Sequence, residues 1–436
     1  MRSFFKKYWG AILFVTVALV YVIPYYYFLR EDTDHVTEIY FADRITEAHR
    51  ILIDKYNALH AGKVRVIPTD FANEDFNTNE RKEILARSLR GEGDGIDLFA
   101  VDVIWVPRFA KWAEPLGEYF TAEETQKITS LALETCYRDR QLVAIPLVRD
   151  QGTLYYRDDL LKSIPEGAAI EHRLSEGVTW PEFIRMQSKY PALSPFYIFP
   201  AADYEGFVCS FFDNLLSLNP QYFRTYGFDF NHPEAAQALQ MLVDLVGRTN
   251  ATPEIVTTFT EVPSFKYFIE RNGLFIRGWT TYDKDFEQMP IDIPKQQLMR
   301  KAPLPYMPGG HPASVLGGWD LMISKFSTKK AAAADFAKFL LTEQSQELFY
   351  SKSGFNPVVK AFYEDPAYLN KYPEIGFLKK ILKSGVYRPL DKEYTKYSKI
   401  MSHYFLLAMK NRISVPAALD QITTAIKSDK MLIDIY

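Results

Sequence analysis

The sequence has few of the residues that build redox centres or metal sites. Its 436 residues include two cysteines, Cys136 and Cys209, and seven histidines. The cysteines are too far apart for a CxxC motif, and the histidines form neither an HExxH motif nor an HxH pair. The sequence therefore gives no support for metal-dependent chemistry, and it predicts neither a metal site nor another cofactor.

The chain also lacks an excess of basic residues. Lys and Arg number 51 against 54 Asp and Glu, which gives a formal net charge of −3. Nucleic-acid binding calls for a basic face, so this composition argues against a nucleic-acid partner. Aromatic residues make up 15% of the chain, enough to line a binding site as well as to fill a core. The length exceeds what one core usually serves, and it predicts two lobes or domains.

Charged residues are absent from one long stretch near the N-terminus. Residues 10–29, GAILFVTVALVYVIPYYYFL, are uncharged and long enough to cross a bilayer as a helix. Basic residues lie before it in 1–9 and acidic residues follow at 31–34, which places the body of the protein outside the cytoplasm. No A-x-A cleavage site or lipid-anchor cysteine is nearby. We therefore predict an uncleaved transmembrane signal anchor with a cytoplasmic basic region at 1–9, and a cleaved signal peptide is the alternative.

Strand and helix patterns alternate after this segment. Runs of β-branched and aromatic residues predict strands, and apolar residues at helical spacing predict helices. In chain order these are a strand at 36–42, a helix at 44–60, a strand at 63–68, a helix at 80–90 and a strand at 96–102. Such alternation is typical of an open α/β domain. The Pro- and Gly-rich stretch at 303–314 is the most loop-like part of the chain, and we expect it to cross between lobes.

Several longer stretches, in a fixed order, resemble one family of proteins. They are IDLFAVDVIWVPRFAKWAEPLGEYF at 96–120, AIPLVRDQGTLYYRDDLLK at 144–162, YEGF at 204–207, HPEAAQALQMLVDLV at 232–246, LFIRGW at 274–279 and PLPYMPGGHPASVLGGWDLMIS at 303–324. Their order and spacing resemble the extracellular solute-binding proteins of bacterial ABC importers, in the group that includes the maltose- and trehalose-binding proteins. With the helical tail, the resemblance covers nearly everything after the predicted anchor.

The resemblance implies a fold and its division into lobes. It implies an α/β, two-lobed periplasmic-binding-protein fold of the type II class, in which each lobe is a discontinuous α/β sandwich around a mainly parallel sheet. The expected segments are 36–146 and 280–325 for the first lobe, 147–279 and 326–436 for the second lobe, and hinges near 146–150, 280–290 and 315–326. The two cysteines would then fall in different lobes. A disulfide between them would obstruct hinge motion, so we expect two unpaired thiols.

A sugar ligand would require a particular mixture of side chains. The C–H face of a pyranose packs against a flat ring, and its rim of hydroxyls needs carboxylate, guanidinium or amide partners. Trp319, with Gly318 before it in GGWDLMIS, resembles the segment in which the family presents an aromatic platform to a sugar. Asp102 follows a predicted buried strand, at the end where α/β folds bind their ligands. It resembles a residue that hydrogen-bonds sugar hydroxyls, and a helix N-cap is its alternative role.

The resemblance adds candidates at two further places. Asp150 matches an acidic ligand residue just past the first predicted hinge. Tyr155 follows in a strand, where either Tyr155 or Tyr156 faces the ligand. Glu205 matches an acidic residue that contacts sugar from the other lobe, with Tyr204 as its neighbour. An acid at a helix start, favoured by the helix dipole, is the alternative for Glu205.

The last candidates combine tryptophan with arginine. Trp279 matches a family tryptophan that stacks on the solute, and Arg277 shares its strand face. Arg388 resembles an arginine, followed by a proline, that lies at the cleft, where its planar guanidinium could bridge vicinal hydroxyls. A solvated surface arginine is the alternative for Arg388.

The resemblance predicts a binding function and no enzyme activity. The expected protein is a monomer that captures a carbohydrate outside the cytoplasmic membrane by closing two lobes, and delivers it to the permease subunits of an ABC importer. Three alternatives remain open. They are a glycoside-processing enzyme that uses the carboxylates of Asp102, Asp150 and Glu205, a membrane-tethered sensor, and a binder of a non-sugar polyol or glycerol-phosphate ligand.

Overall fold

The structure is a computed structural model of the chain. It describes residues 9, 15–17, 19, 20, 36–71, 78–286, 289 and 291–428. Most of the predicted anchor at 10–29 and of the basic region at 1–9 therefore lies outside the described residues. Within the described residues, no helix combines the length and the apolar character that crossing a membrane requires.

The strands are labelled in chain order. They are β1 (Thr37–Asp43), β2 (Val64–Asp70), β3 (Leu98–Asp102), β4 (Tyr137–Arg138), β5 (Gln141–Leu142), β6 (Ile145–Arg157), β7 (Tyr197–Ile198), β8 (Phe275–Trp279), β9 (Met299–Ala302), β10 (Ser314–Ile323) and β11 (Gly385–Tyr387).

The helices are labelled in the same way. In the first two thirds of the chain they are α1 (Glu47–Leu59), α2 (Thr78–Arg90), α3 (Val106–Phe109), α4 (Ala122–Gln126), α5 (Ser130–Leu133), α6 (Asp158–Lys162), α7 (Gly167–Glu176), α8 (Trp180–Lys189), α9 (Glu205–Leu218), α10 (Tyr222–Tyr226), α11 (Pro233–Gly247), α12 (Glu261–Glu270), α13 (Tyr282–Asp285) and α14 (Ile293–Gln297). The later helices are α15 (Lys330–Leu340), α16 (Glu343–Ser353), α17 (Lys360–Glu364), α18 (Pro366–Lys371), α19 (Ile375–Leu382), α20 (Tyr394–Met409) and α21 (Val415–Lys427). Short 3-10 helices cover Val103–Trp105, Ala110–Trp112, Glu134–Cys136 and Glu254–Thr258.

The first elements follow the predicted alternation. β1, α1, β2, α2 and β3 lie close to the bounds that the residue patterns gave. Every residue of β3 is buried, as expected for a strand that is covered on both faces. The predicted α/β start of the chain is confirmed, because short apolar runs and amphipathic helices are local properties of the sequence.

One mixed sheet runs through the molecule in the order β2-β1-β3-β10-β6-β8-β7, with β11 paired to β10 and β9 paired to β6. β1 is parallel to β2 and β3, and β7 is parallel to β8. β10 is antiparallel to β3 and β6, and β6 is antiparallel to β8 and β9. The expectation of a mainly parallel sheet is therefore wrong. β6 leads the chain out of one half of the sheet and β10 returns it, so these two strands must run in opposite directions.

β6 and β10 also join the two lobes. Residues 145–151 of β6 pair with β10, whereas residues 152–157 pair with β8 and β9. We call the elements around β1–β3 the first lobe and those around β8 and β9 the second lobe. In the second lobe α9 is buried along nearly all its length and packs against α11 and α20. Cys136 precedes β6 and Cys209 lies in α9; both are buried and neither forms a disulfide, which confirms the expectation of unpaired thiols.

Two segments lie in the lobe opposite to the one expected. α15 and α16, expected in the second lobe as part of 326–436, pack against α1 of the first lobe. β9, expected in the first lobe as part of 280–325, pairs with β6 beside β8 in the second lobe. The chain returns to the first lobe along β10 and leaves it again after α16, so each lobe still consists of two segments, but their bounds differ from those expected. The remaining lobe and hinge boundaries stay a prediction.

A buried ion pair joins β6 to β10 where the two strands pair. Arg149 Nη1 is 2.8 Å from Asp320 Oδ1, and both side chains are almost completely buried. The hydroxyl of Thr135 donates to the other carboxylate oxygen of Asp320 at 2.7 Å, and Arg149 Nε donates to the Tyr387 hydroxyl at 3.0 Å. Side chains from four separate segments therefore meet at the connection between the lobes.

We expect Asp320→Ala to lower the free energy of unfolding by about 3 kcal/mol, because it leaves the Arg149 guanidinium buried without its carboxylate. The matched control is Lys427→Ala, which removes one partner of an exposed pair with Asp229 and should cost less than about 1 kcal/mol. Urea unfolding followed by circular dichroism measures both. Equal, small losses would contradict a structural role for the buried pair.

Candidate functional site

A cavity of about 500 Å³ lies between the lobes, where β3, β6 and β10 meet the first turns of α9 and α12. Most of the residues singled out in the sequence line it. They are Asp102, Asp150, Tyr204, Glu205, Trp279, Gly318, Trp319 and Arg388. Tyr155 and Arg277 are not among the lining residues, and both are buried.

Asp102 ends β3 and faces the cavity. Its Oδ1 accepts a hydrogen bond from the backbone N–H of Ile104 at 3.1 Å, so Asp102 also has the helix N-cap role that was the alternative. The same oxygen accepts from Arg388 Nη2 at 2.9 Å. Burial raises the pKa of Asp102 above its usual range, and the charge of Arg388 only partly offsets this. The carboxylate is therefore both a structural cap and a charged group of the cavity wall.

Arg388 connects the two candidate carboxylates. Its Nη1 donates to Glu205 Oε1 at 2.7 Å, while its Nη2 contacts Asp102 in the other lobe. Glu205 accepts further hydrogen bonds from the hydroxyls of Tyr394 and Ser398. Burial alone would lower the pKa of Arg388, but the charges of Asp102 and its other neighbours raise it well above the usual value. Arg388 is only 2% exposed, so its alternative role as a solvated surface arginine is wrong.

Two glycines bring the strands and a tryptophan together at this point. Gly318 has a φ of +120°, and a Cβ there would lie 2.4 Å from the carbonyl oxygen of Val148 on β6. A Cβ on Gly317 would lie 3.3 Å from the Trp279 ring. The glycines therefore allow β10 to pass close to β6 and to Trp279. The next residue, Trp319, consequently reaches the cavity wall.

Each of the two cavity tryptophans has an arginine on one face. The guanidinium of Arg81 lies 4.2 Å from the centre of the Trp319 ring, and that of Arg277 lies 4.2 Å from the centre of the Trp279 ring. Arg277 is held from behind by Asp213, with 3.2 Å between Nε and Oδ2. Such cation–π contacts fix the ring planes. Arg277 thus supports the Trp279 ring and does not itself line the cavity.

Tyr155 also supports the site from behind. Its hydroxyl lies 2.9 Å from the carbonyl oxygen of Trp279 and 3.0 Å from that of Thr280. Tyr156 points elsewhere and donates to Glu171 at 2.8 Å. Of the two tyrosines, Tyr155 therefore lies on the side of the site, as part of the support beneath Trp279.

Asp150 lies on β6 at the floor of the cavity. Its carboxylate accepts hydrogen bonds from the hydroxyls of Thr280 and Thr281, at 2.6 and 3.3 Å, and from the backbone N–H of Gln151 at 2.8 Å. Burial raises its pKa to about 6, and these hydrogen bonds only partly oppose that shift. Asp150 therefore presents a carboxylate whose charge the described protein compensates incompletely.

Several lining residues were not singled out in the sequence. They include Arg44, Arg81, Glu261, Tyr282, Asp285 and Phe355. Arg44 directly follows β1 and Asp102 is the last residue of β3, so the rule that ligands bind at strand ends could have found Arg44 as well. Arg81 lies in α2, whose helix was predicted but whose cavity-facing residues were not, and no pattern in the sequence points to the others. Arg44 pairs with Asp285 across the cavity, and Arg81 is held by Asp43 at 3.0 Å.

The sequence profile of bacterial extracellular solute-binding proteins matches residues 44–347, well over half of the chain. The chain belongs to this family. Proteins of this family are transport components that work outside the cytoplasm and are not enzymes. The family resemblance described from the sequence is confirmed.

Individual relatives share sequence or fold with this chain. A probable ABC transporter-binding protein from Deinococcus radiodurans is 27% identical over 337 residues, which cover 74% of this chain and 76% of that protein. The maltose-bound MalE3 of T. maritima has a TM-score of 0.79 and 27% identity, covering 91% of this chain and all of that chain. The cyclic α-maltosyl-1,6-maltose binding protein of Arthrobacter globiformis, at 20% identity, has a TM-score of 0.71 and covers 90% and 99%. The two-lobed fold of the solute-binding protein is thereby confirmed.

We expect Gly318→Ala to lower the free energy of unfolding by about 2 to 4 kcal/mol, because the added Cβ collides with the β6 backbone. Gly309→Ala is the matched control: Gly309 also has a positive φ, +78°, but a Cβ there meets nothing within 4 Å. The control should lose only about 1 kcal/mol. Urea unfolding curves compare the two variants. A Gly318→Ala variant as stable as the control would contradict the close strand contact.

The raised pKa of Asp150 makes its effect on stability depend on pH. The folded state holds this proton up to about pH 6, whereas the carboxyl group in the unfolded chain loses it near 3.8. The stability of the wild type should therefore fall as pH rises from about 4 to 6 relative to Asp150→Asn, which cannot ionise. The variant should gain about 3 kcal/mol above pH 6, since the two pKa values differ by about two units, and well under about 1 kcal/mol near pH 4. Thermal unfolding from pH 4 to 7.5 measures this difference, with the exposed Glu364→Gln variant as the control; a gain independent of pH would contradict the shift.

Proposed function

We propose that this solute-binding protein captures a mono- or oligosaccharide in the cavity between its lobes and delivers it to the permease of an ABC importer. The observation that carries the proposal is the pairing of Trp279 and Trp319 with charged side chains around one cavity. Flat rings fit the C–H face of a pyranose, and carboxylates and guanidinium groups fit its hydroxyls. The maltose bound to MalE3 of T. maritima, a relative of the same fold, supports the same class of ligand.

We assign roles in ligand binding to several lining residues from their positions in the cavity. Trp279 and Trp319 offer the ring face that their arginine partners leave open, and Asp150 accepts hydrogen bonds from ligand hydroxyls. Asp102, Glu205 and Arg388 form the link across the cleft that a closed state needs, because Asp102 belongs to the first lobe and Glu205 to the second. A sugar that contacts both lobes would shift the population towards this closed arrangement without covalent chemistry.

The location of the protein is part of the proposal. The uncharged segment at 10–29 would anchor a single chain in the cell membrane, with the body of the protein, a monomer, on the extracytoplasmic side. An anchored binding protein would remain near its permease. The tethered-sensor alternative depends on the same segment, and a sugar-dependent change in a membrane partner other than a permease would favour it.

The charge of the cavity argues against a phosphate-bearing ligand. Among the described lining residues, eight carboxylates face three guanidinium groups. The carboxylates are Glu80, Glu83, Asp102, Asp150, Asp203, Glu205, Glu261 and Asp285. An anionic solute would meet net repulsion there, whereas a neutral or cationic one would not. The glycerol-phosphate alternative is therefore less well supported than a sugar or an uncharged polyol.

A panel of saccharides, glycerol 3-phosphate and ribitol tests the proposal by thermal shift. A ligand at about a hundred times its dissociation constant should stabilise the protein by close to 3 kcal/mol. Trp279→Ala should weaken binding of the stabilising sugar at least about tenfold, because it removes the stacking surface. Tyr137→Ala, which truncates an exposed aromatic residue outside the cavity, should leave the affinity unchanged. Stabilisation by glycerol 3-phosphate and by no sugar would contradict the proposal.

A further inference from the structure

Most of the charged groups around the cavity are already paired with one another. Asp102 and Glu205 share the guanidinium of Arg388, and Asp285 pairs with Arg44. A ligand that binds to any of these groups must compete with an existing ion pair. The hydrogen-bonding capacity that is left for a ligand therefore lies elsewhere in the cavity.

Two cavity carboxylates have no such partner. No ion pair joins Asp150 or Glu261 to a basic residue in the part of the chain that the structure describes. Asp150 is held by threonine hydroxyls and a backbone N–H. Glu261 begins α12, and burial raises its pKa although contacts with its own backbone N–H, the Tyr204 hydroxyl and the Trp279 indole, and the charge of Arg277, oppose this. The nearest guanidinium groups, of Arg277 and Arg44, form their ion pairs with Asp213 and Asp285, so they compensate the charges of Glu261 and Asp150 only in part.

An unsatisfied hydroxyl lies in the same part of the cavity. Tyr282 is only 1% exposed and lines the cavity, and its hydroxyl has no hydrogen-bond partner among the described residues. Burial raises the pKa of Tyr282 far above its usual value; the negative charges of Glu261 and Asp150 add to this, and the charge of Arg277 opposes it only in part. Its hydroxyl therefore lies within the field of both carboxylates. A buried hydroxyl without a partner costs stability, which a ligand that contacts it would recover.

We propose that the part of the cavity bounded by Asp150, Glu261, Tyr282 and Trp279 binds a protonated amino group, so that the preferred ligands are amino sugars rather than neutral ones. This inference rests on the proposed function, since it specifies the class of sugar that the same cavity takes. Two neighbouring carboxylates, Asp150 and Glu261, are not by themselves evidence for a bound ligand. The unsatisfied, buried hydroxyl of Tyr282 beside them is the independent observation that points to a ligand.

The chemistry of an ammonium group matches this set of acceptors. An ammonium has three N–H donors, which can be shared among the carboxylates of Asp150 and Glu261 and the hydroxyl oxygen of Tyr282. A sugar hydroxyl has one donor and no charge, so it leaves both carboxylates uncompensated. Hydrogen bonds between ionised partners are also stronger than those between neutral groups. The indole of Trp279 at the edge of this region would add a favourable contact with a cation.

The experiment compares matched saccharides that differ at one substituent. Isothermal titration at pH 7 uses glucosamine, glucose and N-acetylglucosamine, and then the disaccharides of β1,4-linked glucosamine and of β1,4-linked glucose. We expect the amine-bearing probe of each set to bind at least tenfold more tightly than the neutral probe. Asp150→Asn and Glu261→Gln should each abolish most of this preference, and higher salt should reduce it. The control variant Glu364→Gln removes an exposed carboxylate that does not line the cavity, so it should preserve the preference.

The outcomes separate this inference from the proposed function. Neutral sugars that bind as tightly as their amino counterparts, or more tightly, would overturn the inference and leave sugar capture standing. An amine preference that survives both Asp150→Asn and Glu261→Gln would overturn this location. Binding of no saccharide of either charge would overturn the proposed function and the inference together.

Discussion

The architecture depends on the close antiparallel contact between β6 and β10. These two strands lead the chain out of the first lobe and back into it, and they pass at a distance that only a glycine at position 318 allows. The contact is fixed on the buried side by Arg149 and Asp320. Because the strands continue into both lobes, the spacing set here determines where the cavity side chains of each lobe can meet.

The positions of the cavity side chains follow from this pairing of β6 with β10. Trp319 follows Gly318 on β10 and pairs with Asp102 across to β3, while Trp279 ends β8 next to β6. Both rings are oriented by arginines that lie on one face, which leaves at most the other face for a ligand. The carboxylates of the cavity also differ in whether they have an ion-pair partner. Asp102 is paired with Arg388, which also reaches Glu205 in the other lobe, whereas Asp150 forms no ion pair within the part of the chain that the structure describes.

Several features could be predicted from single stretches of sequence. The alternation at 36–102 predicts the first strands and helices, because amphipathic periodicity is a local property. The position of Asp102 at a strand end predicts a place on the cavity wall, since strand ends meet at one edge of a sheet. The family resemblance extends this to most of the lining. Tyr155 and Arg277 show the limit of the resemblance. It identifies positions near the site, but it does not predict that these two side chains lie behind the cavity wall and support Trp279.

The sequence by itself determined the local elements, the family and the residues that come to the cleft. Only the tertiary structure decided the mixed direction of the sheet, the lobe to which α15, α16 and β9 belong, and the partner of each charge. Strand direction and lobe membership depend on contacts between distant segments, which no local pattern contains. The same holds for electrostatics. Arg388 is paired with residues 286 and 183 positions away, whereas Asp150 has no ion-pair partner among the described residues, and neither fact is visible before the chain folds.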